Sequence, residues 1–292
     1  MIKDLSTLIN NKIPFWKQPL FILRVIIIVG LVYIVGHLTI QYFCEPKVTA
    51  QTINLRDMPT PKGHIIEKLA YGTRLKVEKK KKNVHTKWWR VKVGHHQGWV
   101  ASWLIHQTKY RAINSLAEAT IVLDPGHGGI DSGTIGLHGA MEKTYTLPTA
   151  LAVAQLLRSK YSRVILTRQS DQSVSLSKRP KIANMDKATL FISFHFNSAG
   201  KKNAAQGFEV FQYHQNARKL AQKLNNNFVN LPLVNRGIAF GDFEVLRDNQ
   251  RPAVLIEMGF MDSTHDFKHI KSKIYQRLVA RDVVRGITQY VH

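Results

Sequence analysis

The chain has 292 residues, and its 42 Lys and Arg against 19 Asp and Glu give a formal net charge of +23. This length suits two modest domains with an additional segment. The charge predicts a polyanionic partner or surface, for which nucleic acid, anionic lipid headgroups and acidic wall polymers are candidates. The single cysteine, Cys44, excludes an intrachain disulfide and a cysteine-rich zinc finger, so a metal site must use His and carboxylate ligands.

An apolar segment near the N-terminus, residues 20–43, predicts one transmembrane helix. As a helix it is about 36 Å long, which is enough to cross a bilayer. Its length and uniformly apolar character disfavour a buried core helix, and no small-residue cleavage site follows it, so we interpret it as a signal anchor. Lysines among residues 1–19 then predict a cytoplasmic N-terminus, a single-pass protein in the cell membrane, and an extracytoplasmic location for the rest of the chain.

Residues 48–106 contain short alternating runs separated by Pro and Gly, which predict a small β-barrel. The runs include NLRDMPT, YGT, WWRVKV and GWVASWL. On these motifs the region resembles a bacterial SH3-like domain, and the resemblance implies wall binding or a spacer role. One or two of its four tryptophans are expected to contact a ligand; they are Trp88, Trp89, Trp99 and Trp103. Residues 107–119 are mixed and short, which is typical of a linker.

A lysine run, Lys79–Lys82, lies inside the same region and suggests a nucleic-acid site. We reject that hypothesis because a domain outside the membrane does not meet DNA. A lysine run between two strands is usually a solvated hairpin tip. Contact with an anionic wall polymer or with lipid headgroups remains the alternative.

After residue 119 the pattern changes to alternating strands and helices, which predicts an α/β domain with a mostly parallel sheet over residues 120–292. His127, His195 and Glu257 each follow or end a predicted strand. Because function gathers at the carboxyl ends of such strands, we expect these side chains to meet in one cleft. A catalytic zinc site needs His and carboxylate ligands and a further carboxylate as base, and the pattern alone leaves Glu142 and Glu257 interchangeable in those roles.

Seven motifs of this segment together carry a family resemblance. They are IVLDPGHGGIDSGTIG, MEKTYTL, VILTRQSD, SLSKRPKIAN, LFISFHFNSA, QGFEVF and VLRDNQRPAVLIEMGFM. The segment resembles the zinc-dependent N-acetylmuramoyl-L-alanine amidases of the amidase-3 type. The resemblance implies that His127, Glu142 and His195 bind Zn²⁺ and that Glu257 is the catalytic carboxylate. It also implies peptidoglycan as substrate, cut at the amide between N-acetylmuramic acid and L-alanine.

Two alternative functions stay open at this point: a catalytically silent wall-binding or regulatory protein, and a zinc peptidase that acts on wall peptides. Polar Arg24 and His37 in the predicted anchor suggest a membrane-protein activator as a further partner.

Three further expectations concern residues around the site. Asp124 either orients a metal ligand or caps a turn. Arg168 and Arg179 are expected to be structural partners of buried carboxylates. Pro148 is expected in the first turn of the helix that follows Glu142, because proline is tolerated there.

Overall fold

The computed structural model describes residues 19–79, 88–105 and 114–292. The chain divides into two units, residues 1–46 and residues 47–292. The first unit contains helix α1, Pro19–Cys44, and within it the stretch Pro19–Ile40 is long and apolar enough to cross a membrane. Its large apolar side chains are exposed rather than packed in a protein core, which is consistent with an anchor or signal sequence. The predicted cytoplasmic residues 1–18 lie outside the described residues.

The second unit begins with a five-stranded antiparallel sheet. Its strands are β1 Thr52–Arg56, β2 Ile65–Ala70, β3 Lys76–Lys79, β4 Trp88–Val93 and β5 His96–Ala101, in the order β2-β1-β5-β4-β3. Trp88 is buried in the core of this sheet, and Trp89, Trp99 and Trp103 are partly buried against it. The tryptophans therefore stabilise the small domain, and a ligand contact by one of them stays a prediction. Of the run Lys79–Lys82, the structure describes only Lys79.

The short segment 114–119 joins this sheet to the α/β domain and is packed against both. Glu118 is fully buried, and its Oε2 accepts hydrogen bonds from Arg56 Nη2 at 2.5 Å and Nε at 3.0 Å. Burial raises the pKa of Glu118, and the charge and hydrogen bonds of Arg56 oppose this without reversing it. Trp103 Nε1 donates to the Ala117 carbonyl oxygen at 2.8 Å. A buried ion pair therefore fixes the joining segment to the small sheet.

The α/β domain contains a six-stranded sheet in the order β10-β9-β11-β8-β6-β7. Strands β7, β6, β8 and β11 are parallel, whereas β9 and β10 run in the opposite direction. The strands are β6 Thr120–Pro125, β7 Arg163–Leu166, β8 Leu190–Asn197, β9 Phe208–Gln212, β10 Asn235–Phe240 and β11 Ala253–Phe260. The predicted α/β fold with a mostly parallel sheet is confirmed.

Six helices accompany this sheet in the described residues. They are α2 Lys143–Ser159, α3 Lys178–Met185, α4 Arg218–Asn225, α5 Glu244–Arg247, α6 Thr264–Ile270 and α7 Lys273–Val291. Helices α2, α4 and α7 share one hydrophobic cluster with Phe194 and Ile256, whereas α3 and α5 share another with Phe191 and Leu255. Because side chains alternate along a strand, Ser193 and His195 lie on the face that only the short helices α3 and α5 cover.

Pro148 lies inside α2, and the expectation that it belongs to the first helical turn is wrong. The helix begins at Lys143, with Glu142 immediately before it. Proline in a helix interior removes one backbone hydrogen bond. The expected consequence still holds, because Glu142 is placed at the start of the helix.

Replacing Glu118 by Ala leaves the Arg56 guanidinium buried without a counter-charge, so we expect the free energy of unfolding to fall by about 3–5 kcal/mol. The double variant Arg56→Met/Glu118→Leu removes both charges and is expected to be close to wild type in stability. Urea unfolding of the detergent-solubilised protein, followed by tryptophan fluorescence, measures both. An equal loss in the single and the double variant would contradict a stabilising ion pair.

Candidate metal centre

Three side chains converge at the carboxyl edge of the parallel strands. His127 lies in the loop after β6, His195 in β8, and Glu142 directly before α2. His127 Nε2 is 3.1 Å from His195 Nδ1, and the two oxygens of Glu142 each lie 3.0 Å from one of these nitrogens. The sequence prediction that His127 and His195 meet in one cleft agrees with this geometry, and Glu142 lies between them.

This cluster has the donor set of a metal site. One ligand atom from each residue lies within 4.8 Å of the others. Two imidazoles and one carboxylate with an open fourth position are the ligands of a catalytic zinc ion. Burial acts to raise the pKa of Glu142, but the hydrogen bonds and charges of His127 and His195 outweigh it and hold that pKa far below its usual range. Glu142 is therefore ionised, as a metal ligand must be.

The loop after β6 orients His127 through Asp131. Both carboxylate oxygens of Asp131 contact His127 Nδ1, at 2.9 and 3.0 Å, and Oδ1 also accepts a hydrogen bond from the Gly133 amide at 3.0 Å. Burial acts to lower the pKa of His127, but Glu142 and Asp131 together raise it. A contact at one ring nitrogen leaves the other, Nε2, directed at the cluster.

Glycines make room for the three clustered side chains. A Cβ atom on Gly126 would lie 2.3 Å from Cε1 of the His195 ring. A Cβ atom on Gly133, where φ is +66°, would lie 2.6 Å from both Glu142 Oε2 and His127 Cδ2. The glycines of this loop therefore serve the packing of the site as well as the backbone conformation.

Arg168 and Arg179 hold the backbone under the site in different ways. Arg179 Nη1 pairs with Asp124 Oδ1 at 2.7 Å, which confirms the expected carboxylate partner. Arg168 donates instead to the carbonyl oxygens of Pro125 at 3.0 Å and Gly126 at 2.9 Å. The expectation of a carboxylate partner is wrong for Arg168, because its buried guanidinium donates hydrogen bonds to buried carbonyl oxygens of the strand-to-loop turn.

Asp124 links three strands rather than touching a clustered side chain. It is fully buried and accepts hydrogen bonds from Thr167 Oγ1 at 2.5 Å and Ser193 Oγ at 2.7 Å, in addition to Arg179. Arg179 also donates from Nη2 to the carbonyl oxygen of His127 at 3.0 Å. Asp124 thus acts on His127 only through Arg179 and the backbone.

Glu257 lies beside the cluster, on β11. Its Cα pairs with that of His195 on one side and with that of Glu209 on the other. Its Oε2 is buried and has no hydrogen-bond partner within the described residues. Burial first, and then the charges of Glu142 and Glu209, raise the pKa of Glu257 well above its usual range. A carboxylate with a raised pKa and a free oxygen can exchange a proton with a reacting group.

Sequence reasoning did not find three charged residues around the site. Asp131 lies four residues after His127 inside a quoted motif, so its spacing could have suggested a contact. Glu209 and Arg236 carry no such local signal, because they reach the site through strand pairing across the sheet.

A His–Glu–His cluster beside a buried carboxylate, at the carboxyl edge of parallel strands, is the arrangement of a hydrolase with a metal centre. Residues 121–289 match the family model described as N-acetylmuramoyl-L-alanine amidase, and residues 51–106 match the bacterial SH3 domain. The chain belongs to the N-acetylmuramoyl-L-alanine amidase family. The predicted peptidoglycan amidase function and the SH3-like region are thereby confirmed.

Curated relatives include the probable cell wall amidase LytH of Staphylococcus epidermidis, which is 36% identical over 234 residues and aligns with 76% of this chain and 78% of its own length. The Staphylococcus aureus LytH is 34% identical over 236 residues, with the same coverage.

Solved structures give the same assignment for the α/β domain. The amidase AmiC2 of Nostoc punctiforme has a TM-score of 0.57 and 37% identity over 59% of this chain and 96% of its own. The CwlD amidase of Clostridioides difficile, solved in complex with the GerS lipoprotein, has a TM-score of 0.56 and 29% identity over 59% of this chain and 98% of its own.

Gly133→Ala is expected to lower the affinity for zinc by about 10- to 100-fold, because the new methyl group displaces Glu142 and His127. Gly139→Ala is the matched control, since Gly139 also has a positive φ, +73°, but a Cβ there meets nothing within 4 Å. Competition with a chromophoric chelator measures both affinities. Equal affinities in the two variants would show that the packing of Gly133 against Glu142 and His127 does not affect zinc binding.

Proposed function

We propose that this amidase is zinc-dependent, with His127, Glu142 and His195 as the metal ligands and Glu257 as the catalytic carboxylate. The observation that carries the proposal is that the two carboxylates lie in environments that shift their pKa values in opposite directions. Glu142 lies between two imidazoles, which favour its ionised form, whereas Glu257 is buried beside like charges. The first environment suits a ligand and the second suits a base, so the geometry supports the assignment that the sequence pattern left open.

The reaction is hydrolysis of the amide between the lactyl group of N-acetylmuramic acid and L-alanine. When bound, zinc supplies a Lewis acid and lowers the pKa of water. Glu257 accepts a proton from the attacking water and then returns it to the leaving nitrogen of L-alanine. Asp131 holds the ring of His127 in place during turnover through its Nδ1 contact. The products are a lactyl carboxylate on the glycan and a stem peptide that begins with L-alanine.

The two alternative functions receive less support. A silent wall-binding protein has no need of a buried Glu257 oxygen without a hydrogen-bond partner among the described residues, because burying such a group is costly. A zinc peptidase could use the same four residues, but the family match is to amidases of the muramoyl–alanine bond.

We infer that helix α1 anchors the protein in the cell membrane with the amidase domain on the extracytoplasmic side. Support comes from the apolar stretch Pro19–Ile40 and from the cell wall amidases among its relatives. The net charge of +23 fits anionic wall polymers or lipid headgroups as neighbours, and nucleic acid is not expected there. The CwlD amidase was solved in complex with a lipoprotein, which supports the proposal that this chain also has a protein partner.

Glu257→Gln is expected to reduce hydrolysis by about 10²- to 10⁴-fold, because the water loses its proton acceptor, while one zinc per chain is retained. Glu244→Gln, at the start of α5, is the matched control and should retain activity. Mass spectrometry of digested glycan strands and metal analysis give the two readouts. Zinc loss in Glu257→Gln would make Glu257 a ligand, and peptide products cut internally would indicate a peptidase.

The activator hypothesis predicts that a fragment of residues 47–292 is less active on isolated wall than the full chain in its native membrane. Both samples should contain one zinc per chain, so that a difference reflects control rather than metal loss. Equal specific activity of the zinc-loaded fragment and the membrane-embedded chain would contradict a membrane activator.

A further inference from the structure

Arg236, near the start of β10, is a charged side chain at the site that the reaction described above does not use. Its Nε lies 3.5 Å from Glu209 Oε2, and its side chain is 40% exposed. Its Cζ is 5.3 Å from the centroid of the Phe260 ring. The Arg236 guanidinium donates no hydrogen bond to any residue that the structure describes. The guanidinium is therefore held by a long ion pair and an aromatic face, with its donors available.

Strand order places this guanidinium close to the catalytic carboxylate. Strand β9 separates β10 from β11, so the two backbones are about 10 Å apart. The Arg236 side chain extends back across this gap, because it contacts Glu209 on β9 and Phe260 on β11. Glu209 is the direct cross-strand neighbour of Glu257, and Phe260 follows Glu257 by three residues. Arg236 thus lies at the rim of the site.

An irregularity in β10 accounts for this direction. The pairing of β10 with β9 shifts register between Asn235 and Ile238. Gly237 has φ +88°, and its amide donates to Asn235 Oδ1 at 2.8 Å. A bulge of this kind redirects a side chain and is frequent next to active sites. The bulge therefore interrupts the regular alternation of side chains along β10 and directs Arg236 towards Glu209.

The chemistry of the substrate identifies a partner for this cation. The lactyl carboxyl of the glycan is consumed in the scissile amide, so the carboxylates of the substrate lie on the stem peptide. The first of them beyond L-alanine belongs to the second residue, about 7 Å along an extended chain from the bond that is cut. The guanidinium lies against Glu209, the direct cross-strand neighbour of Glu257, and is therefore on the side of the site where this carboxylate would be met. A planar guanidinium is also the side chain that best matches a carboxylate.

We propose that Arg236 is a specificity-determining residue that binds the carboxylate of the second stem-peptide residue. The enzyme then prefers D-isoglutamate over D-isoglutamine, in which an amide replaces that carboxylate. Glu209 keeps the guanidinium in position through its weak ion pair and is partly displaced when the substrate carboxylate binds. The inference rests on the proposed amidase reaction. It adds that the stem peptide lies on the β9 and β10 side of Glu257.

The test compares hydrolysis of an N-acetylmuramoyl tripeptide that contains D-isoglutamate with that of the D-isoglutamine form by the full-length protein, since the third residue blocks the side-chain carboxyl in both. We expect kcat/KM to be about 10-fold or more higher for the acid, mainly through KM, because a charged hydrogen-bonded pair is lost with the amide. In Arg236→Gln the ratio of the two kcat/KM values should fall to about one. Arg218→Gln on α4 removes an equal charge on the opposite face of the sheet and should keep the wild-type ratio.

Two further variants guard against a folding defect in Arg236→Gln. Arg236→Lys keeps the charge without the guanidinium and should give an intermediate ratio. Glu209→Gln removes the competing carboxylate and should raise the ratio above that of wild type. A wild-type ratio near one, or an unchanged ratio in Arg236→Gln, would overturn the inference while leaving the amidase reaction intact. Failure of the wild type in its native membrane to cut either substrate and to cut glycan strands would overturn both.

Discussion

Two imidazole nitrogens, 3.1 Å apart, each lie 3.0 Å from one oxygen of the Glu142 carboxylate, and the rest of the site depends on that arrangement. A divalent ion bound here would meet the ligand preferences of all three residues together. Asp131 and the arginines beneath the loop orient His127, and glycines clear the space that the clustered side chains occupy.

Different neighbouring charges distinguish the two glutamates of the site, Glu142 and Glu257. The flanking imidazoles stabilise Glu142 as an anion. Burial, together with the charges of Glu142 and Glu209, instead raises the pKa of Glu257. These neighbours favour an ionised carboxylate at Glu142 and a protonatable one at Glu257, as the proposed roles of ligand and base require. Arg236 offsets the excess negative charge at the rim and is free to meet an anionic part of the substrate.

The fold class and the position of His127, His195 and Glu257 could be predicted, because each follows a strand whose carboxyl end meets the others at one edge. The roles of Glu142 and Glu257 could not be separated by pattern, since they depend on which side chains surround each carboxylate. The reversed direction of β9 and β10 and the contributions of Glu209 and Arg236 arise from pairing between distant segments. The partners of Arg168 could not be predicted either, because they are backbone carbonyl oxygens, which every residue carries.

The most direct test of the account is anomalous diffraction at the zinc absorption edge from crystals of the zinc-loaded protein. We expect one strong peak about 2.0–2.2 Å from His127 Nε2, His195 Nδ1 and a Glu142 oxygen, with Glu257 outside this ligand distance. A zinc ion coordinated by Glu257 in place of Glu142, or the absence of zinc from this cluster while it is bound elsewhere, would contradict the account.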